Sequence, residues 1–516
     1  MHTAEDQVVV VGAGFGGLAA AIRLAALGLK VSLIEAGETP GGKARAVPTP
    51  AGPAQTGPTV LTWPHLAAEL FALAGQSMAD QVALTALPDL ARHFWPDGGQ
   101  LDLTPSREAN AEAIAAFAGP AEAAAFVRFD RLAEGLAKAL APPILLRARP
   151  SVLGVMAAVA QRPALWPALR PGLSLQSLLQ AHFRDPRLVQ LFGRYATYVG
   201  GTPALSPAVL ALIWRVEAEG VHAVQGGMQA LALALARAAE ALGVRPLYAT
   251  RASRIRIYEG RVQGVELESG RFIPATTCVF AGDPEALRQG LLGSAGRGAL
   301  TGKAAKRSLS AWVWALAARP EGRALLHHNV FFTADPAAEW DPIARGEMPT
   351  QPTLYLCAQD RLPGHHPGPL ERFEIIMNGP AGQAAPAAEE ETCRHRTFPA
   401  LQRFGLTLTP EGMPHLLTPT KLARAYPGSG GAIYGASPEA TLAAFSRPGA
   451  RTQVAGLYLA GGGAHPGAGV PMALLSGKHA VEVIWKDRIS GSDRRPGVTP
   501  GGMSTDVRTT GRAPSR

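Results

Sequence analysis

Three cysteines, Cys278, Cys357 and Cys393, are all that 516 residues contain, and no two of them form a Cys-x-x-Cys pair. So sparse and odd a set excludes a disulfide framework or a structural zinc knuckle and suits a reducing compartment. Charge is also scarce: Asp, Glu, Lys and Arg make up 17% of the chain against 47% hydrophobic residues. That balance excludes a disordered chain and supplies a large core. Aromatic residues amount to 6% and form no stripe with basic ones, so no nucleic-acid partner is expected. Nothing reads as a membrane-spanning helix; the long uncharged run from Gly456 to Gly477 is broken by Pro466, Pro471 and many glycines. A first strand at Gln7–Val11 lies so near Met1 that no signal peptide is expected. These absences imply a soluble or membrane-surface protein, not a transmembrane one.

What is present is length enough for two or three domains, and a formal charge of +9 that is unevenly placed. From residue 487 the chain turns basic and rich in Gly, Ser, Thr and Pro, the composition of a disordered, solubilising tail.

The amino end carries the clearest chemistry. Gln7–Val11 is an uninterrupted apolar strand, as a strand buried on both faces should be. Gly12-Ala13-Gly14-Phe15-Gly16-Gly17 comes next, then a helical run, then a second strand from Lys30 to Ile34 ending in Glu35. Gly12 makes the tight turn, Gly14 lets backbone approach a pyrophosphate, and Gly17 lets the helix pack on the strand. The amides of Phe15 and Gly16 open a helix whose N-terminus faces phosphate. Glu35 stands where a carboxylate accepts hydrogen bonds from a ribose 2′-hydroxyl, which favours FAD or NAD over NADP.

The residues after Glu35 separate FAD from NAD. Ala36 leads into Gly41-Gly42-Lys43-Ala44-Arg45, and Gly57-Pro58-Thr59 comes a little later. Together these resemble the second signature of the FAD-binding amine oxidase and carotenoid (phytoene-type) desaturase superfamily. The resemblance implies that Gly42, Lys43 and Arg45 lie against the cofactor and that Gly57, Pro58 and Thr59 pass near the flavin. The family usually has Asp two residues before that glycine, where this chain has Gln55.

More than four hundred residues later, Gly461-Gly462-Gly463-Ala464-His465-Pro466-Gly467-Ala468-Gly469-Val470-Pro471-Met472 stands between an apolar strand and a helix to about Trp485. It resembles the carboxyl-terminal signature of the same desaturases. A helix N-terminus there carries partial positive charge suited to the flavin's N1/O2 edge. The resemblance thus assigns Gly461, Gly462, Gly469, Val470, Pro471 and Met472 to the cofactor, and, through a small sheet after Gly226-Gly227-Met228, the backbone of Ala252 to its adenine. The implied fold is α/β: a Rossmann-like FAD-binding domain (1–90, 225–300, 421–486) with an inserted α+β substrate domain (91–224, 301–420).

Within the family, Ala91 to Leu103 resembles the 1-hydroxycarotenoid 3,4-desaturases (methoxyneurosporene dehydrogenases) of photosynthetic bacteria. That implies loss of a hydride and a neighbouring proton from an acyclic 1-hydroxy- or 1-methoxy-carotenoid, a lipophilic substrate, giving one more conjugated double bond. An earlier-acting phytoene desaturase and a non-redox flavin carotenoid isomerase remain alternatives. A second Gly-x-Gly-x-x-Gly is absent, so oxygen or a quinone is the expected electron acceptor. No metal spacing is found, since His327-His328 and His365-His366 are adjacent pairs. No catalytic residue is assigned. His465 reads as structural or cofactor-orienting rather than as a base, and Tyr195 and Tyr198 read equally as tunnel or core aromatics. Arg147 to Arg170 interleaves arginines with Leu153, Val155, Met156 and Trp166, either a membrane-surface segment or an ordinary amphipathic helix. A peripheral place on the cytoplasmic side of a bacterial intracytoplasmic membrane is the corresponding expectation.

Overall fold

Val8 and Val10 turn to one side of the first strand and Val9 and Val11 to the other, and all four are buried. The alternation of a pleated strand therefore feeds two cores at once. Val8 and Val10 pack with Leu18, Leu235 and Leu474. Val9 and Val11 pack with Ile255, Val265 and Leu287. The computed structural model describes residues 7–382, 388–439, 445 and 447–492.

Gln7–Val11 is the centre of a five-stranded sheet in the order Leu457–Leu459, Thr277–Phe280, Gln7–Val11, Lys30–Ile34, Arg245–Leu247, every neighbouring pair parallel. Helices Phe15–Ala26, Gly227–Ala241 and Val470–Ser492 supply the Leu18, Leu235 and Leu474 core on one face. An antiparallel sheet of Ala252–Tyr258, Arg261–Leu267 and Phe272–Pro274 covers the other. Segments from both chain ends and the middle thus converge on one sheet, as the discontinuous glycine signatures require.

The second unit is a seven-stranded sheet ordered Leu406–Leu417, Ser310–Gly322, Glu371–Gly379, Leu354–Ala358, His328–Phe331, Ala91–Phe94, Gln100–Leu103. All its pairs are antiparallel except His328–Phe331 with Ala91–Phe94. On one face Phe373, Ile375 and Met377 join a core with Cys393 and Leu401 of the helix Glu389–Arg403. Residues of the opposite parity, Glu374, Ile376 and Asn378, face a cavity. Over that cavity lies a helical roof that includes Pro120–Leu140, Leu175–His182, Pro186–Gly193 and Leu212–Ala218. Asp130, fully buried, fastens the roof by accepting from Trp214 Nε1 at 2.7 Å, Arg215 Nη1 at 3.1 Å and Arg107 Nε. A buried carboxylate with this many donors is compensated for its lost hydration.

The last helix corrects the expected start of the basic tail. It runs from Val470 to Ser492. Asp487 is held by Arg451 and by the Tyr458 hydroxyl, which donates at 2.9 Å. An ion pair and a hydrogen bond give residues 487–492 a reason to continue the helix that composition does not show. Residues 493–516 lie outside the described residues, and the expectation of disorder there with them.

Candidate active site

One cavity of about 1960 Å³ runs from the glycine turns of the parallel sheet to the space between the seven-stranded sheet and its roof. Every residue assigned to the cofactor from the sequence borders it except Gly17. Gly17 stands behind the turn, where a Cβ would lie 1.9 Å from the Gly12 carbonyl oxygen. Gly16 is equally constrained from the far signature, since a Cβ there would come within 2.4 Å of Gly461 N. The amino-terminal and carboxyl-terminal signatures therefore meet backbone to backbone.

The residues fit an FAD. Gly14 and Gly42 approach so closely that a Cβ on Gly42 would sit 3.1 Å from the Gly14 Cα, leaving peptide groups rather than side chains at the pyrophosphate position. Glu35 is buried, accepting from Ala13 N at 2.7 Å and Gly37 N at 2.8 Å. These bonds fix the carboxylate while leaving acceptor sites for ribose hydroxyls. At Gly469 the backbone is left-handed, φ +105°, and a Cβ would meet nothing within 4 Å, so this loop borders open space. Gly57, Pro58, Thr59 and Ala252 border the same space.

The two cations of the second signature border the cavity and also brace its walls. The Lys43 ammonium donates to the carbonyls of Ala432 (3.2 Å) and Ile433 (2.5 Å). Burial lowers its pKa to about 8, opposed in part by Asp283. Arg45 donates to Gly42 O at 2.8 Å and lies 3.8 Å from Glu35. Both brace the cradle while bordering it. Gln55 is a clamp: its amide donates to Gly226 O at 3.0 Å, a bond that the family's usual Asp cannot make when ionised.

His465 does not border the cavity. Its Nε2 lies 3.0 Å from the Arg147 carbonyl, which only a protonated nitrogen can approach as a donor. Burial lowers its pKa to about 4. His479 stacks on it at 5.8 Å and makes a like bond to Leu145 O at 2.9 Å. These histidines pin residues 145–147 to the carboxyl-terminal signature, a structural role. Tyr198 borders the cavity and Tyr195 is core. Both hydroxyls donate to Glu217, beside the buried Arg194.

Sequence reasoning missed several groups. Asp283 and Arg447 border the cavity near Lys43; Arg447 donates to Gly462 O at 3.1 Å and Ala436 O at 2.9 Å. Gly477 lies on the last helix where a Cβ would meet Gly16 O at 2.5 Å, and its signal was a glycine amid a helical run. Thr59 Oγ1 is 2.6 Å from the Tyr355 hydroxyl, itself 2.7 Å from His328 Nδ1. His327, His328 and Cys357 come together, a grouping that adjacency of the histidines alone did not suggest, with His327 Nε2 3.6 Å from the Cys357 sulfur. Burial keeps the Cys357 thiol well above its ordinary pKa. Burial lowers the pKa of His327 to about 4 and holds that of His328 well below its ordinary value, so the trio is a neutral buried cluster.

A single parallel sheet, an acid at the end of its second strand, two glycine turns and a roofed apolar cavity define a flavin-dependent oxidoreductase. Residues 15–485 match the model of the family described as flavin containing amine oxidoreductase, and the chain belongs to that family. It is an FAD-dependent enzyme. Over 488 residues it is 59% identical to the hydroxyneurosporene desaturase of Rhodobacter capsulatus, covering 94% of this chain and 99% of that one. It is 32% identical to a lycopene-forming phytoene desaturase of a Paracoccus species, covering 94% and 99%. Among solved structures, an oxidoreductase from Methanosarcina mazei superposes with a TM-score of 0.59 at 17% identity, covering 92% of this chain and 100% of that one, a likeness of fold alone.

Proposed function

We propose that this enzyme is a carotenoid desaturase that introduces the C-3,4 double bond into acyclic 1-hydroxy- or 1-methoxy-carotenoids such as 1-hydroxyneurosporene. The observation that carries this reading is the continuity of the cofactor cradle with an apolar space beneath the roof, lined by Leu140, Ile144, Val189, Leu210, Ile213 and Phe332. A long polyene needs such a lining, because each buried CH2 contributes about 0.8 kcal/mol on leaving water. The high identity to a hydroxyneurosporene desaturase, against 32% to a phytoene desaturase, supports the later step. FAD, when bound, supplies the two-electron acceptor for the hydride that leaves the carotenoid. The chain's own part is to exclude water, hold C-3 and C-4 against the cradle, and let the adjacent proton go. Conjugation stabilises the developing positive charge, so no strong base is required. Electrons then pass to oxygen or a quinone. Anaerobic mixing with 1-hydroxyneurosporene is expected to bleach the flavin and shift the pigment red by one double bond. Bleaching by phytoene instead would reassign the enzyme to the earlier step, and polyene turnover without flavin bleaching would make it an isomerase.

The same reading places the enzyme on the surface of a bacterial intracytoplasmic membrane, on its cytoplasmic side. The helix Val152–Ala160 has no buried residue and carries Leu153 (79% exposed) and Met156 (62%), while the exposed Trp166 donates from its ring nitrogen to Val159 O at 3.0 Å. Arg147, Arg149, Arg162 and Arg170 accompany them, the pairing of apolar and cationic groups that suits an anionic lipid surface. The preceding residues Ile144 and Leu145 line the cavity, so a substrate dissolved in lipid has a short way in. The double substitution Leu153→Asp/Met156→Asp is expected to abolish flotation with anionic vesicles while flavin content stays at the parent level. Unchanged flotation would remove this segment from the membrane contact.

A further inference from the structure

Of the acids that border the cavity, Glu339 and Glu374 are both deeply buried, but they are not alike. Glu339 accepts from Asn378 Nδ2 at 3.1 Å. Glu374 is fully buried and neither of its carboxyl oxygens has a partner. Leaving such a group unsatisfied costs about 1–3 kcal/mol, so an unpaired buried carboxyl at a cavity wall calls for a ligand that completes it.

Its position is fixed by strand parity. Glu374 sits in the strand Glu371–Gly379 opposite Ala315 on one side and Cys357 on the other, in the middle of the seven-stranded sheet. Phe373 and Ile375 take the core face, which leaves the cavity face to Glu374. A negative charge there would be felt by Tyr355 and by Tyr434. Tyr355 is bonded to Thr59, and Tyr434 follows Ile433, whose carbonyl takes Lys43. Through Tyr355 and Tyr434 Glu374 is tied to Thr59 and to the Lys43 contact at the cofactor end of the cavity.

We propose that Glu374 is the specificity-determining residue of this enzyme, a buried carboxyl that hydrogen-bonds the oxygen on C-1 of the carotenoid and so sets C-3 and C-4 at the flavin. The inference rests on the desaturase reading above and names the group that would recognise its substrate. The oxygen on C-1 is three bonds from C-3, so a polar group that binds it must stand near the cofactor end, as Glu374 does. Burial pushes the Glu374 carboxyl well above its ordinary pKa, which favours the neutral acid. A neutral acid has one O–H to donate and a carbonyl to accept, and it suits an alcohol, which does both, or a methyl ether, which accepts only. An ionised carboxylate would offer nothing to the ether. The neutral acid also makes a poor base, which separates this binding role from proton abstraction.

The test compares Glu374→Leu and Glu374→Gln with the parent enzyme on 1-hydroxyneurosporene and on neurosporene, which lacks the hydroxyl. In the parent, kcat/KM is expected to favour the hydroxylated substrate. Glu374→Leu is expected to lower that preference about ten- to a hundredfold, through loss on the alcohol and not on the hydrocarbon. Glu374→Gln, which still donates and accepts, restores most of it. Binding of both pigments to dithionite-reduced enzyme, which cannot take a hydride, should show the same change in ratio. Folding does not confound the comparison: replacing an unpartnered buried carboxyl with leucine is expected to leave flavin content intact and to raise the thermal midpoint. An unchanged preference in Glu374→Leu, with the parent active on the alcohol, overturns the assignment of Glu374 alone. A parent enzyme that oxidises phytoene and neither of these pigments overturns the 1-hydroxycarotenoid 3,4-desaturase reading instead.

Discussion

Gly17→Ala is expected to yield a chain that folds poorly and carries little or no flavin. A Cβ at Gly17 would lie 1.9 Å from the Gly12 carbonyl oxygen and 3.1 Å from the Ala281 side chain. The first obstacle is backbone in the turn between the strand Gln7–Val11 and the helix Phe15–Ala26. It cannot rotate away as a flexible side chain can. The turn must open or the helix must lift from the sheet, and either movement displaces the amides of Phe15 and Gly16. Overpacking of this kind costs about 1–3 kcal/mol or more, and the loss falls on cofactor affinity as well as on folding, about tenfold or greater in flavin retained. Gly16→Ala should do similar harm by a different route, since its Cβ would strike Gly461 N, on the carboxyl-terminal signature. Gly298→Ala is the control: nothing lies within 4 Å of its Cβ, and the parent's flavin content should persist. Flavin absorbance per chain after gel filtration checks all three. A Gly17→Ala protein with full flavin would mean that the turn is far softer than its packing implies.

The same glycines explain why the cofactor end was legible in the sequence. A turn, a helix start and an acid at the end of the next strand are bound by local geometry, so their spacing survives in the linear order. The strands Gln7–Val11 and Lys30–Ile34 lie where the residue pattern puts them. The last helix ends at Ser492 rather than at about Trp485 because Asp487 finds Arg451 and Tyr458, partners from a different segment.

Glu374 shows where legibility stops. The alternation in Glu371–Gly379 is visible, with Phe373, Ile375 and Met377 on one face. A glutamate on the other face of an antiparallel strand ordinarily points to water. Only the roof, built from residues more than 150 positions earlier, turns that face inward and makes the glutamate an interior group. Asp283 and Arg447 escaped notice for the same reason, being brought to the cavity by tertiary crossing rather than by spacing. The segment Arg147 to Arg170 was balanced between two readings because an amphipathic pattern states which face is apolar and not what covers it. In the fold, Val155 and Val159 pack inward while Leu153 and Met156 remain exposed.

Glu217→Leu is expected to destabilise the roof strongly. Glu217 is 3% exposed, and its carboxylate takes both the Tyr195 and Tyr198 hydroxyls and stands 3.6 Å from Arg194 Nη2. Arg194 is itself buried, donating to the Tyr198 hydroxyl at 3.1 Å. Removing the carboxylate leaves a guanidinium in the interior with no counter-ion and two buried phenols with no acceptor. Breaking a buried pair from one side costs about 3–5 kcal/mol. The double variant Arg194→Leu/Glu217→Leu should recover most of that loss, because an apolar pair of similar volume removes the stranded charge along with its partner. Denaturant midpoints of the two single variants and the double one form the cycle that measures the coupling. Recovery in the double variant would show that the penalty of Glu217→Leu is the uncompensated Arg194. Equal loss in single and double variants would show that the tyrosine hydroxyls carry it. The two outcomes also separate in catalysis. Tyr198 borders the cavity, so a wall that keeps its shape in the double variant should keep its turnover too. A wall that collapses around two unpaired phenols should lose stability and turnover together.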